Sequence, residues 1–354
     1  MAQGILFLGD FFYDYPDLQN DIREIGKWIR ERELVTVLNL EGCIARDRST
    51  PIKKRGPNLS CSDQAIDALK ELQTVGVCLA NNHMMDYGDQ GLRNTLDALD
   101  EADILHTGAG RSLNEAVCPM RIPLGSYSVS ILNFGWKEEE TVYAGMSSCG
   151  CSPRENNVIF PALANVKNSG DIPVVFMHWG FEYNRLPMPF DIDLAHRMID
   201  AGAELVLGSH PHNVQPKESY KARQIYYSLG NFYFASRRDR FNRRFHETIS
   251  NLCDYGIGVI WDVEIEKMEE TLYQYSKENG ETHISASCED LQLILEDNSG
   301  NDFFSDNYLK QASERKDNRN PILTLNEEYN RVALRRFNTI RRMKSIGRKL
   351  LRKC

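Results

Sequence analysis

The chain has 354 residues, 42% of them apolar and 26% charged, with a net charge of −8 at neutral pH. This length accommodates one large α/β domain with an extension, or two modest domains, and the composition is that of an ordinary globular protein, which excludes disordered and fibrous classes. No apolar run approaches the ~20 residues of a spanning helix, and the acidic body argues against nucleic acid as a partner. Met1 leads almost directly into the strand-like GILFLGD, so no secretory leader is expected and the chain reads as cytoplasmic. Nine cysteines without a CxxC pair fit reduced thiols in a cytosol. Cys149-Gly-Cys151 lacks a second pair and reads as a plain loop.

In chain order, Gly4 to Leu8 is an apolar run capped by Gly9-Asp10, the pattern of a buried strand that delivers a carboxylate at its C-terminal end. Residues 17–32 carry helical apolar spacing (Ile22, Ile25, Ile29), and Leu34 to Asn39 predicts a second strand ending in Asn39-Leu40-Glu41. Ser62 is the expected N-cap of a helix over 62–74. Val75 to Ala80 predicts a third strand, which ends in Asn81-Asn82-His83, followed by Asp86-Tyr87-Gly88 and a helix over about 89–100. A capping Asp or Asn at a strand-to-helix turn is common. Three consecutive strands ending in metal-compatible or acid-base side chains are not, and in α/β sheets that edge is where ligands bind.

Further strands are expected at 104–109 and 127–134, whereas 137–172 carries little signal. Val174 to Met177 predicts a strand ending in His178 and followed by Glu182, and a helix over 190–201 leads to LVLGSHPHNVQP at 205–216. There His210 and His212 flank Pro211, which pushes Ser209–His210 toward an extended conformation and aims both imidazoles from one rigid loop. Imidazole suits Zn, Fe, Mn or Ni, but two histidines cannot hold a catalytic ion alone, and the bare triplet also fits a surface loop. Ile225 to Leu229 runs into Gly230-Asn231. After residue 256, alternating GIGVIWDVEIEKM predicts half-buried antiparallel strands, so two sheets are expected. His106, His196, His246 and His283 lie in strand, helix or polar contexts and are left out of the candidate site.

Together, Gly9-Asp10, Asn39-Leu40-Glu41, LANNHMMDYGDQGLRNTL (79–96), HTGAG (106–110), HWGFEY (178–183), AGAELVLGSHPHNVQP (201–216) and YSLGNFYF (227–234) resemble the CapA family of capsule and poly-γ-glutamate synthesis proteins, within the calcineurin-like metallophosphoesterase superfamily. The resemblance spans about 4–235. It implies a four-layer αββα sandwich of two mixed β-sheets flanked by helices, with a C-terminal extension. It also implies one or two divalent ions (Mn, Fe or Zn), with Asp10, Glu41 and His212 around one, Asn82, His178 and His210 around the other, and Glu41 bridging. His83 would be the general acid; Glu182 and Asn231 are candidate substrate contacts. Two departures are visible: Phe12 stands where the superfamily has a histidine, and Glu41 replaces the usual bridging aspartate. Loss of one imidazole is expected to weaken the first metal position.

The function implied is a metal-dependent hydrolase acting on a polymer or phosphate-ester substrate in cell-surface polymer synthesis. The rival is a non-catalytic component of a polymer synthase or export complex. The expected division is a domain over 1–265, an extension over 266–328 and a basic amphipathic helix over 329–354. Residues 331–354 hold ten basic residues and no acid, so with a total of −8 the preceding residues carry −18. Val332, Phe337, Ile340, Met343, Ile346 and Leu350 recur at helical spacing beneath that charge, suiting an anionic membrane surface at the inner face, or the chain's own acidic body.

Overall fold

A computed structural model describes residues 4–54, 56–137, 141–184, 186–236, 253, 255–265, 267–276 and 281–285. The elements in order are β1 (Gly4–Asp14), α1 (Asn20–Arg30), β2 (Leu34–Leu40), α2 (Gln64–Glu71), β3 (Thr74–Cys78), α3 (Gly88–Glu101), β4 (Leu105–Thr107), β5 (Ala109–Gly110), α4 (Leu113–Ala116), β6 (Met120–Leu124), β7 (Tyr127–Gly135) and β8 (Gly150–Cys151). They continue with α5 (Asn156–Asn168), β9 (Ile172–His178), α6 (Pro189–Asp200), β10 (Leu205–Ser209), β11 (Lys217–Tyr220), β12 (Arg223–Tyr226), β13 (Asn231–Ser236), β14 (Tyr255–Asp262), β15 (Lys267–Ser276) and β16 (Glu281–Ser285).

One sheet runs β16-β15-β14-β1-β2-β3-β4 with β13 also on β1; the other runs β11-β12-β10-β9-β7-β6. Both are mixed: β1 to β4 are parallel while β14 to β16 are antiparallel, and β7, β9, β10 and β12 are parallel between antiparallel edges β6 and β11.

The two-residue period of each strand sorts its side chains into layers. Leu6, Leu8, Leu38 and Val77 face outward against Ile22, Ile25 and Ile29 of α1, Leu69 of α2 and Leu92, Leu96 and Leu99 of α3. Their neighbours Ile5, Phe7 and Val37 face inward and meet Ile131, Val174, Phe176, Leu205 and Leu207 of the second sheet. That sheet turns Leu132, Val175 and Val206 outward onto Ile159 and Leu163 of α5 and Ile192 and Met198 of α6. Helix, sheet, sheet, helix is therefore the layer order, as the resemblance implies. Central strands covered on both faces explain the continuous apolar runs.

Four details differ from the sequence reading. β1 does not stop at Leu8: past the bulge at Asp10 it continues to Asp14 because β13 pairs along that half. Helix α5 lies in the stretch read as uninformative. Pro161 within it hid the pattern, yet Ile159, Leu163 and Val166 are its buried stripe. Ser62 does not cap α2; its hydroxyl donates to the Tyr15 carbonyl at 2.5 Å. The expected boundary at 265 falls in the turn between β14 and β15, which pair antiparallel and extend the first sheet, so the segment from 267 is continuous with the body rather than a separate extension. Residues 286–354, including the basic tail, lie outside the described residues.

Gly9 sits where β1 passes the β12–β13 connection. A Cβ there would stand 1.9 Å from the Gly230 carbonyl oxygen, so the backbones approach as only glycine permits. Gly9→Ala is expected to destabilise by at least ~1–3 kcal/mol, the usual cost of overpacking. Gly125→Asn, where nothing lies within 4 Å and φ is +56°, a conformation asparagine tolerates better than most residues, should cost less, about 1 kcal/mol or under. Urea unfolding of both variants measures the difference.

Candidate metal centre

The C-terminal ends of the parallel strands of both sheets meet at one edge and deliver the site. Asp10 occupies the bulge of β1: its backbone N–H donates to the Gly230 carbonyl at 3.0 Å, Oδ1 accepts from Asn39 Nδ2 at 2.8 Å and Oδ2 accepts from the His210 backbone N–H at 3.2 Å. Glu41 follows β2, its N–H donating to the Phe11 carbonyl at 2.9 Å. Asn81 ties the next turn down, donating from Nδ2 to the Leu40 carbonyl at 2.8 Å and accepting the His83 N–H at 3.2 Å. Asn82 and His83 are thereby held beside Glu41.

The second sheet supplies three imidazoles. His178, last in β9, lies level with Ser209, last in β10. Its Nδ1 is 3.0 Å from Ser209 Oγ and its Nε2 is 3.0 Å from Asn82 Oδ1. His210 stacks obliquely on His178 with ring centroids 4.6 Å apart. His212 places Nδ1 3.5 Å from Asp10 Oδ2 and Nε2 3.6 Å from Glu41 Oε1. The loop is not extended before Pro211 as expected. His210 has φ +99° and His212 φ +59°, unfavourable for residues with a Cβ. At this turn the His210 N–H meets Asp10 Oδ2.

Electrostatically the cluster calls for a cation. Asp10 and Glu41 have no exposed surface, and together with His178 they offer ligand atoms within 4.8 Å of one another. Both Glu41 oxygens and Asn82 Nδ2 lack a hydrogen-bond partner among the described residues. Burial, then the neighbouring Asp10 and Glu182 charges, push the Glu41 carboxyl well above the ordinary range. Burial, reinforced by His210, His212 and His83, holds His178 well below the usual imidazole value, in the neutral form that ligates metal. Carboxylate, amide and neutral imidazole donors fit a divalent ion such as Mn, Fe or Zn, and such an ion would relieve the buried negative charge.

Asp10, Glu41 and His178 thus bring ligand atoms within reach of one another, with Asn82, His212 and His83 beside them and His210 stacked on His178. His83 points Nε2 toward Glu41 Oε1 at 3.9 Å, and burial lowers its proton affinity while the bond to Asp86 raises it. Glu182 is half-buried and close enough for its charge to act on both Glu41 and His83. Asn231 lies beside His212: its Oδ1 is 2.9 Å from His212 Nδ1, and its Nδ2 donates to the Cys253 carbonyl at 3.0 Å, which anchors the amide. At the position where the resemblance leads one to expect a histidine, Phe12 packs on Phe234 at 5.3 Å, and Phe234 meets the edge of His212 at 5.0 Å. His106 and His196 are bound to Asp100 and Glu218, away from the cluster, and His246 lies outside the described residues.

Two contributors escaped the sequence reading. Lys54, from the loop before α2, reaches Asp86 beside His83. Tyr273, from β15, accepts the Gly9 N–H at 3.3 Å and donates to the Ile257 carbonyl at 2.9 Å, bracing the strand behind Asp10. The only signal for Lys54 is a basic stretch between Pro51 and Pro57, and nothing local marks Tyr273.

The family model described as bacterial capsule synthesis protein PGA_cap matches residues 5–236. Similar curated proteins include the PGA biosynthesis protein CapA of Bacillus subtilis (strain 168), 32% identical over 55% of this chain and 52% of that protein. The capsule biosynthesis protein CapA of Bacillus anthracis is 31% identical over 60% and 53%. A probable polyglutamine synthesis accessory protein of Mycobacterium tuberculosis (strain CDC 1551 / Oshkosh) is 32% identical over 55% and 54%. The chain spans about half the length of these relatives. Among solved structures, a 5'-nucleotidase precursor from Thermus thermophilus aligns with TM-score 0.46 at 11% identity, covering 89% of this chain and 59% of that one.

Because Asn231 is fully engaged behind His212, Asn231→Ala is expected to weaken divalent-ion affinity by ~10–100-fold, the usual cost of removing a ligand's supporting partner, with the fold unchanged. Metal titration of the purified variant, alongside circular dichroism, measures this.

Proposed function

The chain belongs to the bacterial capsule synthesis protein family, and from that premise we propose that it is a metal-dependent hydrolase of the phosphoesterase type, serving synthesis of a capsule or poly-γ-glutamate-type polymer. The observation that carries this reading is the buried convergence of Asp10, Glu41 and His178 with His83 aimed at the same point. A structural ion needs ligands but no adjacent proton donor.

In this reading Asp10, Glu41 and His212 hold one divalent ion, and Asn82, His178 and His210 hold a second, with Glu41 shared. When bound, such ions supply Lewis-acid polarisation of a phosphoryl oxygen. The chain's own residues do the remainder. In the hydrolysis a water molecule adds to phosphorus as the bond to the leaving oxygen breaks; His83 delivers its Nε2 proton to that oxygen and recovers one from the attacking water, and Asp86 steadies the ring through Nδ1. Glu182, half-buried at the margin, contacts substrate. Wholesale burial of the ligands excludes bulk water from the reacting centre, which strengthens each charge interaction there.

A second reading has one specific support. The Mycobacterium tuberculosis relative is called an accessory protein, a word suited to a component that works alongside a synthase without turnover of its own. The two readings separate at His83. His212→Ala or Asp10→Asn should strip bound metal, whereas His83→Ala should keep it and lose about 10²–10⁴-fold in rate on a phosphodiester or phosphomonoester. Elemental analysis paired with steady-state rates makes the comparison. Full activity in His83→Ala removes its role as acid, and metal-loaded wild type inert toward all such substrates favours the accessory role.

We also propose a cytoplasmic position at the inner face of the membrane. No helix among the described residues is long and apolar enough to cross a membrane, and the basic amphipathic stretch 331–354 suits anionic headgroups. Full-length protein should co-sediment with anionic vesicles at low salt and release at high salt, and a 1–328 truncation should not bind. Salt-independent behaviour, or equal binding by both forms, rejects the idea.

A further inference from the structure

Lys54 is unusual among the lysines in that its side chain has no exposed surface. Its ammonium lies 2.5 Å from Asp86 Oδ1 and 3.0 Å from His83 Nδ1, and it donates to the Asn82 carbonyl at 3.3 Å. Asp86 is the hub of this arrangement. Its Oδ2 lies 2.7 Å from His83 Nδ1 and accepts the Leu59 N–H at 2.7 Å; its backbone carbonyl accepts the Ile52 N–H at 2.9 Å. The loop carrying Lys54 is therefore wound around Asp86, and the lysine is threaded back under His83.

A fully buried aspartate beside a histidine is stable only if its charge is answered, because an unpaired ion in the interior carries a large desolvation penalty. His83 alone does not answer it, since its ring faces only one of the two carboxylate oxygens, Oδ2. Lys54 sets its ammonium against one oxygen, Oδ1, and leaves the other, Oδ2, to face Nδ1. The imidazole is then fixed by two-point attachment of its partner, leaving Nε2 facing Glu41.

From this geometry we propose that Lys54 is a positioning residue: it neutralises and immobilises Asp86, and through Asp86 it sets the orientation in which His83 presents Nε2 to the metal centre. This rests on the reading of His83 as proton donor for its kinetic consequence, while its structural half stands independently of turnover.

Two variants test it in the full-length, metal-loaded protein. Lys54→Met removes the cation alone. Lys54→Met/Asp86→Asn removes both charges while leaving a carbonyl oxygen to accept from His83 Nδ1, so that it folds even if the single variant does not. The activity-independent readout is the hydrogen-bonded Nδ1 proton of His83 in the downfield NMR spectrum, assigned by its absence in His83→Ala. It should be present in wild type and lost or broadened in Lys54→Met. With bis(p-nitrophenyl) phosphate as probe and Mn as metal, kcat should fall ~10–100-fold in both variants, while KM stays within about threefold and metal content is unchanged; these are the marks of lost positioning rather than lost binding. An unaltered His83 proton together with unaltered kcat in either folded variant overturns the proposal. So does loss of metal in step with loss of rate, which would place Lys54 behind Asn82 instead. If wild type turns over no ester, the hydrolase reading fails while the NMR comparison still decides the role of Lys54.

Discussion

Two carboxylates with no access to water, Asp10 and Glu41, stand at the edge where the two sheets meet. Burial of one ionised carboxylate is costly and burial of two side by side more so, unless positive charge or directed hydrogen bonds answer them. Much of the surrounding structure can be read as the answer. Asn39 and the His210 backbone N–H reach Asp10, while Glu41 is left with free oxygens toward three imidazoles and an amide. The oblique backbone at His210, the bulge in β1 and the glycine at position 9 all serve the same local need.

Support for the site is arranged in layers. Ser209 steadies His178, Asn231 steadies His212, and Asp86 steadies His83. Each of these partners is itself fixed: Ser209 ends a central strand, Asn231 is tied to Cys253, and Asp86 accepts the Leu59 and Ile52 N–H groups. Holding side chains at two removes in this way limits the rotamers left to them, which is what preorganisation of a reacting centre requires. At Phe12 the device changes. There packing against Phe234 takes over where a ligand would stand, and His212 is held at its edge by aromatic contact.

The parts of this site that are legible in the sequence are those that close a strand. Asp10, Glu41, Asn82, His178 and His210 each follow an apolar run by a residue or two, so strand periodicity alone locates them at one sheet edge. Lys54 and Tyr273 follow no such run. Lys54 comes from an aperiodic loop 29 residues before His83, and Tyr273 meets Gly9 across a separation of 264 residues; contacts of that kind depend on tertiary geometry alone. Helix α5 was obscured for another reason, since a proline at 161 reads locally as a break although the buried stripe on its sheet-facing side persists. Asn231 was visible as a site residue, but not which side of the histidine it would occupy.

The position of β1 bears on how the chain acquires its fold during synthesis. This strand is made before all of its sheet partners, yet it ends up flanked by β2 on one side and by β14 and β13 on the other. On the β2 side its partner follows within a few dozen residues, whereas on the β14 side it must wait for more than two hundred. Until β14 is made, β1 therefore presents an open hydrogen-bonding edge next to the apolar side chains of Ile5 and Phe7, a condition that exposes nascent chains to mispairing. Its closure is a late, long-range event of high contact order. A centre anchored on Asp10 is in this sense completed late, although Asp10 precedes every other ligand in the chain.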